Sequence, residues 1–379
     1  MKYFKYIYLS VVLMMTACVG NPGEDLGSGE PVPPQIPDGF VLVPSGTFFK
    51  ADGKEAITFK VYSDKQDVTK DARLYLETSS GIDRMDTPEF KTDEAGTYTF
   101  FSTYKGMETE KVKVTAISGD FPPLPEDTQP DKFSDFKHRI VATQFTGTGC
   151  GFCPNAMSAI AKFKESEHAD KMLFAAVHSY SSDDPMHNAD ASDLARRLSV
   201  SSYPSIVLSL NPRYLLTSLN ASAFYTQMVS GMETLLEEKA CCGISASISK
   251  SEHSVRLSAK VKVGETGSYR ITAWLLEDGI KAPQANQTGV TMDINTHNNA
   301  LRSASNTVTA AGELLGNKET ITAGTEVEFY HEFAISNVTN IQNCHVLVIV
   351  SRKTDEYRNH ITDNVINCPV DASVAFEYE

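Results

Sequence analysis

The chain has 379 residues, with 48 acidic against 34 basic side chains and a formal charge of -14 at pH 7. A surface this acidic argues against nucleic acid or a bare anionic membrane as partner. After the first 17 residues the apolar runs are short and interrupted, which excludes a membrane-spanning helix in the body of the chain. The length predicts two or three domains.

The first segment carries a targeting signal. Lys2 and Lys5 precede an uncharged, mostly apolar run from Tyr6 to Ala17, too short to span a bilayer but suited to the core of a signal peptide. It ends in Met15-Thr16-Ala17-Cys18, which resembles the lipobox of bacterial lipoproteins. That resemblance implies a signal peptide at 1–17 and a diacylglyceryl group on Cys18, which becomes the first residue of the mature chain. An ordinary secretory signal with Cys18 incidental is the alternative. Val19, where aspartate would retain the protein in the inner membrane, implies an outer-membrane lipoprotein, facing the periplasm or the exterior. Residues 18–38, rich in Gly, Pro and acids, read as a flexible tether.

Residues 39–118 have the period-two pattern of half-buried strands: Ile57, Phe59 and Val61 alternate with Thr58, Lys60 and Tyr62, and Val112 and Val114 alternate likewise. The stretch Asp93–Phe100 resembles the tyrosine-corner segment of immunoglobulin-like domains, with Tyr98 as the tyrosine and Phe100 in the usual cysteine position. An immunoglobulin-like β-sandwich is expected, held by an apolar core and serving as spacer or binding module. Residues 119–131 follow as a Pro-rich linker.

Residues 132–240 carry the candidate chemistry. An apolar strand, Ile140–Phe145, runs into Thr146-Gly-Thr-Gly-Cys150-Gly-Phe-Cys153-Pro154. A helical pattern follows with Met157, Ile160, Ala161 and Phe163 on one face. A buried strand at 173–177, a helix near 191–198 and a strand at 205–208 opened by Tyr203-Pro204 complete the unit. This order resembles the thioredoxin fold. By that resemblance Cys150 is the surface nucleophile, Cys153 the shielded resolving thiol, and Pro204 a cis-proline facing them. A helix N-terminus stabilises a thiolate placed there, and Pro154 has no N–H to lose in a first helical turn. Two features depart from thioredoxins: Gly149 stands where they carry tryptophan, and Gln144 where they bury an acid. A thioredoxin-type reductant is therefore disfavoured, while an oxidant, an isomerase or a static disulfide stays open.

A zinc knuckle would need a second ligand pair near Cys150 and Cys153, and the remaining cysteines are remote. His178, Asp183, Asp184 and His187 on the next loop offer ligands to a metal or simply a solvated surface; no metal site is assigned, and no cofactor is implied.

Residues 241–379 again alternate as strands, notably Val255–Val263 and Tyr269–Leu276, and predict a C-terminal β-sandwich. The four remaining cysteines, in an oxidising compartment, are expected as disulfides. A vicinal Cys241–Cys242 bond is strained, so each is expected to pair with Cys344 or Cys368.

The expected architecture is thus multidomain α/β plus all-β: a thioredoxin-like α/β domain at 132–240, flanked by an N-terminal immunoglobulin-like β-sandwich and a β domain at 241–379. The lipobox, the segment Phe145–Pro154, Trp274-Leu-Leu-Glu-Asp-Gly279 and Thr296-His-Asn-Asn-Ala-Leu-Arg302 together resemble the outer-membrane-protein-28-related lipoproteins. That family implies a thioredoxin-like domain followed by a β domain, with no settled activity; His297, Asn298 and Arg302 match its motif and are expected to brace a loop. Two functions follow: thiol–disulfide exchange with cysteine-containing envelope proteins, or a binding scaffold in which the pair is a fixed disulfide.

Overall fold

A computed structural model describes residues 39–379 apart from 46–47, 79, 308 and 354–359. The signal peptide, Cys18 and the tether lie outside the described residues.

In the N-terminal unit the sequence alternation becomes burial: in the strand Ile57–Ser63, Ile57, Phe59 and Val61 are buried while Thr58 and Lys60 are exposed. This strand pairs antiparallel with Phe40–Pro44. A second sheet joins Val112–Ile117, Gly96–Tyr104 and Arg73–Thr78, all antiparallel. Both sheets supply one core, in which the rings of Phe59 and Phe100 lie 4.5 Å apart. Phe100 is fully buried in this core. The Tyr98 hydroxyl donates to the Glu94 carbonyl at 2.9 Å, the upstream bond expected of a tyrosine corner.

The Pro-rich segment is pinned rather than free. The carbonyls of Gln129 and Pro130 accept from the buried Lys262 Nζ at 2.8 and 2.9 Å.

Four strands and three α-helices then follow: β1 (Ile140–Thr146), α1 (Pro154–Lys164), β2 (Met172–His178), α2 (Ala189–Arg197), β3 (Ser205–Leu208), a short strand Leu215–Thr217 and α3 (Ala221–Leu235). β1 is parallel to β2 and antiparallel to β3. Every residue of β1 is buried, because it is central and covered on both faces. Ile140 and Ala142 pack with Phe163 of α1 and Phe224 and Met228 of α3, while Val141 and Phe145 face the α2 side with Leu194. α1 turns a somewhat different face inward than its pattern suggests. Ala156, Ala159, Ile160 and Phe163 are buried, whereas Met157 and Ala161 are half-buried, because the turn at Cys153–Pro154 sets the helical phase.

The C-terminal strands are β4 (Cys242–Lys250), β5 (Ser254–Val263), β6 (Tyr269–Glu277), β7 (Ala300–Ala304), β8 (Thr325–Ala334), β9 (Cys344–Lys353) and β10 (His360–Pro369). β8, β5 and β4 form one antiparallel sheet. The other runs from Leu215–Thr217 through β3, β1, β2, β7, β6 and β9 to β10. The expected sandwich is therefore present, but one of its sheets continues into residues 132–240. β7 makes the join: Ala300 lies opposite Ala176, and the Ala176 N–H donates to Asn299 O at 2.8 Å. β6 serves two cores. Ile271, Ala273 and Leu275 face the smaller sheet, and Trp274 and Leu276 face Val177 and Leu194.

Candidate functional site

Cys150 and Cys153 form a disulfide with Cα atoms 5.4 Å apart. Its position follows from the strand–helix junction. β1 ends at Thr146, the chain turns with Cys150 N–H donating to Gly147 O at 3.0 Å, and Cys153 N–H donates to Cys150 O at 3.2 Å. Cys153 is the N-cap of α1 and Pro154 enters its first turn. Cys150 thus lies one turn ahead of the helix rather than within it. The Tyr203–Pro204 peptide is cis. Since Phe145 pairs with Ser205, Pro204 lies at the same end of the sheet as the disulfide.

The loop after β2 holds this turn in place. His178 and Asp184 are buried, with His178 Nδ1 3.0 Å from Asp184 Oδ2. The same oxygen accepts the Thr148 N–H at 2.6 Å, and Oδ1 accepts the Met186 N–H at 2.9 Å. Burial alone would raise the Asp184 pKa, but the His178 contact and the two backbone donors outweigh it and hold the carboxyl below its usual range. The loop is therefore an internal brace rather than a solvated ligand set. Its groups diverge: His187 Nε2 turns away to Ser192 Oγ at 2.8 Å.

Tyr180, on the same loop, is a site residue that sequence reasoning missed. Its ring lies beside position 149, where a β-carbon on Gly149 would sit 3.6 Å from Tyr180 Cε1. It also packs edge-on against Tyr203 at 5.3 Å. An aromatic wall absent from the motif itself is thus supplied from the neighbouring loop. A β-carbon on Gly147 would come within 2.5 Å of Tyr180 Cβ, so Gly147 makes that approach possible. Gln144 is buried on β1 with its Nε2 unpartnered.

The expectation of a surface Cys150 is corrected: Cys150 is 3% exposed and Cys153 fully buried. Residues 284–287 lie over the turn. The Ala285 N–H donates to Thr148 O and the Gln287 N–H to Gly151 O, both at 2.8 Å. Gln284 Nε2 donates to Cys150 O at 3.0 Å and Gly147 O at 3.2 Å.

The expected C-terminal disulfides are also corrected. Cys241, Cys242, Cys344 and Cys368 are buried free thiols. Strand geometry separates Cys241 and Cys242 from Cys344 and Cys368. The N–H groups of Cys241 and Cys242 donate to Asp363 Oδ2 at 3.0 and 2.9 Å, while Cys368 lies five residues further along β10, roughly 16 Å away at strand rise. Cys344 is beyond that same end, its carbonyl accepting from Val370 N–H. Burial pushes the thiols of Cys344 and Cys368 up to about 12.

The motif residues at 297–302 brace loops as expected. Asn298 Oδ1 accepts Gly279 N–H at 3.0 Å, and His297 Nε2 lies 3.2 Å from Ala282 O. Arg302 Nε meets buried Glu277 at 3.3 Å, and Glu277 accepts the N–H groups of Thr339 and Asn340. The His297 ring also packs edge-on against His178 at 5.2 Å, so the motif touches the brace beneath the disulfide. Among the described residues no group of three or more His, Cys, Asp or Glu side chains is arranged to hold a metal ion, and no helix is long and apolar enough to cross a membrane.

The family model for outer membrane protein Omp28 matches residues 192–371. Among solved structures, HBP35 of Porphyromonas gingivalis is similar at 21% identity and a TM-score of 0.50, over 63% of this chain and 77% of that one. A protein of Agrobacterium tumefaciens aligns at 12% identity and a TM-score of 0.37, over 60% of this chain and 93% of that one. A domain of the outer membrane lipoprotein Omp28 from Porphyromonas gingivalis aligns at 14% identity and a TM-score of 0.23, over 35% of this chain and 89% of that one. No curated protein matches. Residues 192–371 take in most of α2, then β3, α3 and the strands β4 to β10, and with them the loop-bracing motif; over this part, just under half of its length, the chain is similar to the outer membrane protein Omp28 family.

Proposed function

We propose that this protein exchanges disulfides with cysteine-containing envelope proteins through Cys150 and Cys153, on a thioredoxin-like domain of a lipoprotein anchored at Cys18. The observation that carries this reading is the place of the bond: a disulfide between the end of a buried parallel strand and the cap of α1, with Pro204 at the same sheet end. A staple for stability has no need of a helix N-terminus. An exchanging pair does, because the unpaired N–H groups there stabilise the thiolate released when the bond opens. In one turnover a partner thiolate attacks Cys150 Sγ, the Cys150–Cys153 bond breaks, and Cys153 leaves as a thiolate that takes up a proton. A second partner thiol then displaces Cys150 from the mixed disulfide. The partner leaves with a new disulfide, and its two electrons stay on the reduced pair. The unit at 39–118 serves in this reading as an immunoglobulin-like spacer between anchor and site.

A fixed disulfide on a binding scaffold is the competing reading, favoured by the burial of both sulfur atoms. Trapping separates the two. Exchange is reversible, and in Cys153→Ser the free Cys150 thiolate attacks a partner's disulfide with no Cys153 thiol left to release it. This variant, expressed in its own envelope, is therefore expected to accumulate reducible high-mass adducts, and Cys150→Ser is not. No adducts, together with a pair potential below about -300 mV, would mark a structural disulfide and overturn the exchange reading.

A further inference from the structure

Resting on the exchange reading, we propose that residues 282–295 are a displaceable strap, occupying the place of a partner's extended segment. Exchange at Cys150 then requires a partner segment to take that place. The strap is an excursion between two short paired segments, Ile280–Lys281 and Thr296–His297. Its base is tied by Ala282 N–H to Asn295 O at 3.0 Å and Gln284 N–H to Asn295 Oδ1 at 2.9 Å. Its tip touches the disulfide turn through hydrogen bonds to main-chain carbonyls. Two come from N–H groups two residues apart, Ala285 and Gln287, which is the spacing an extended strand presents along one edge. The Gln284 side chain contributes the others.

These contacts describe the missing occupant. With the strap lifted, Gly147, Thr148, Cys150 and Gly151 turn a row of carbonyl acceptors toward solvent beside Cys150 Sγ. An extended polypeptide satisfies such a row with alternate N–H groups and brings its own cysteine alongside, as in other strand-addition interfaces. Gly151 lies directly under the strap: a β-carbon there would come within 2.7 Å of the Gln287 side chain.

The composition of the strap suits release. Pro283, Ala285, Asn286 and Gln287 are exposed, and the strap's buried apolar side chains are Ala282 and Ile294, near its base. The tip is therefore held by hydrogen bonds that a partner peptide or water replaces, not by apolar burial. A permanent roof over a structural disulfide would be expected to carry apolar anchors at its tip.

The test uses the oxidised full-length protein and dithiothreitol, with loss of the Cys150–Cys153 bond followed by alkylation and mass. Gln284→Ala removes the side-chain clamps, which end on main-chain carbonyls, and leaves both cysteine side chains in place; it is expected to raise the reduction rate about tenfold with an unchanged equilibrium potential. An unchanged rate would overturn the strap. If that variant does not fold, amide exchange in the wild type decides. The Ala285 and Gln287 amides are expected to exchange at least about tenfold faster than those of β1; protection equal to β1 would make the segment a fixed roof. Because dithiothreitol reads access whether or not an envelope partner exists, faster reduction with failed trapping would sink the exchange reading alone, and trapping with an unchanged rate would sink the strap alone.

Discussion

The six cysteines of the described residues fall into two regions that meet the same compartment in opposite states. Cys150 and Cys153 are three residues apart in one turn and are bonded. Cys241, Cys242, Cys344 and Cys368 are spread over strand ends and remain thiols. A turn of three residues brings two sulfur atoms together by local geometry. Strands bring them together only if register and face agree, and here β10 carries Asp363 at the Cys241–Cys242 end and Cys368 at the other. An even cysteine count in an oxidising compartment does not by itself imply bonding.

Reactivity should separate the regions most. In reduced, folded protein at pH 8, iodoacetamide is expected to label Cys150 more than a hundredfold faster than Cys344 or Cys368. With thiols pushed up to about 12, only about one molecule in ten thousand carries the thiolate. Equal labelling of all three in the folded state would dissolve the comparison; equal labelling in urea is required by it.

Asp363→Ala attacks what holds the C-terminal pair apart. The buried carboxylate accepts the Cys241 and Cys242 N–H groups and lies 3.3 Å from Arg352 Nε. Removing it is expected to cost about 3–5 kcal/mol in urea denaturation, because the buried N–H groups of Cys241 and Cys242 lose their acceptor and half-buried Arg352 keeps only Glu265. A loss under about 1 kcal/mol would show that the carboxylate is not the organiser of that end of the strand.

On the other side of the comparison, Asp184→Asn weakens the brace beneath the disulfide turn and is expected to cost about 2–3 kcal/mol at pH 7. The sign of its pH dependence is set by a folded-state pKa below the ordinary aspartate value of 3.8. The contribution is complete above that value and is lost as pH falls through the folded pKa. Thermal midpoints of wild type and variant should therefore converge on acidification below about pH 4. A gap that stays constant to about pH 2 would remove the carboxylate from the explanation.

The smallest effect is expected from the disulfide itself. Replacing both Cys150 and Cys153 by Ser closes no long loop and should cost about 2 kcal/mol or less in the chain-entropy model. The urea transition of the C-terminal sheets should not move. A loss beyond about 4 kcal/mol would instead assign the bond a staple's role.

Much of the site's position is legible in the amino-acid sequence. The apolar run 140–145, the C-x-x-C, Pro154 and the Tyr203-Pro204 strand are local signals, and each element lies where its pattern places it. The tyrosine corner is readable for the same reason: Tyr98 and Glu94 are four residues apart. The brace and the covering of the site are not readable. His178 and Asp184 look like loop ligands, because nothing in their spacing says that both turn inward. Residues 284–287 carry only loop chemistry, and their meeting with the turn at 147–151 spans more than 130 positions.

By itself the sequence determined the period-two strands, the start of α1, the cysteine turn and the acidic exterior, since each follows from contacts within a few residues or from composition. Only the tertiary structure decided that β7 inserts beside β2 and makes one sheet of two expected domains. It likewise decided that four thiols stay apart and that Cys150 lies under a strap. These outcomes depend on which distant strands share an edge and which loops then fall over which turn. That choice is made by the packing of faces such as Trp274 and Leu276 against Val177 and Leu194, which no local pattern encodes.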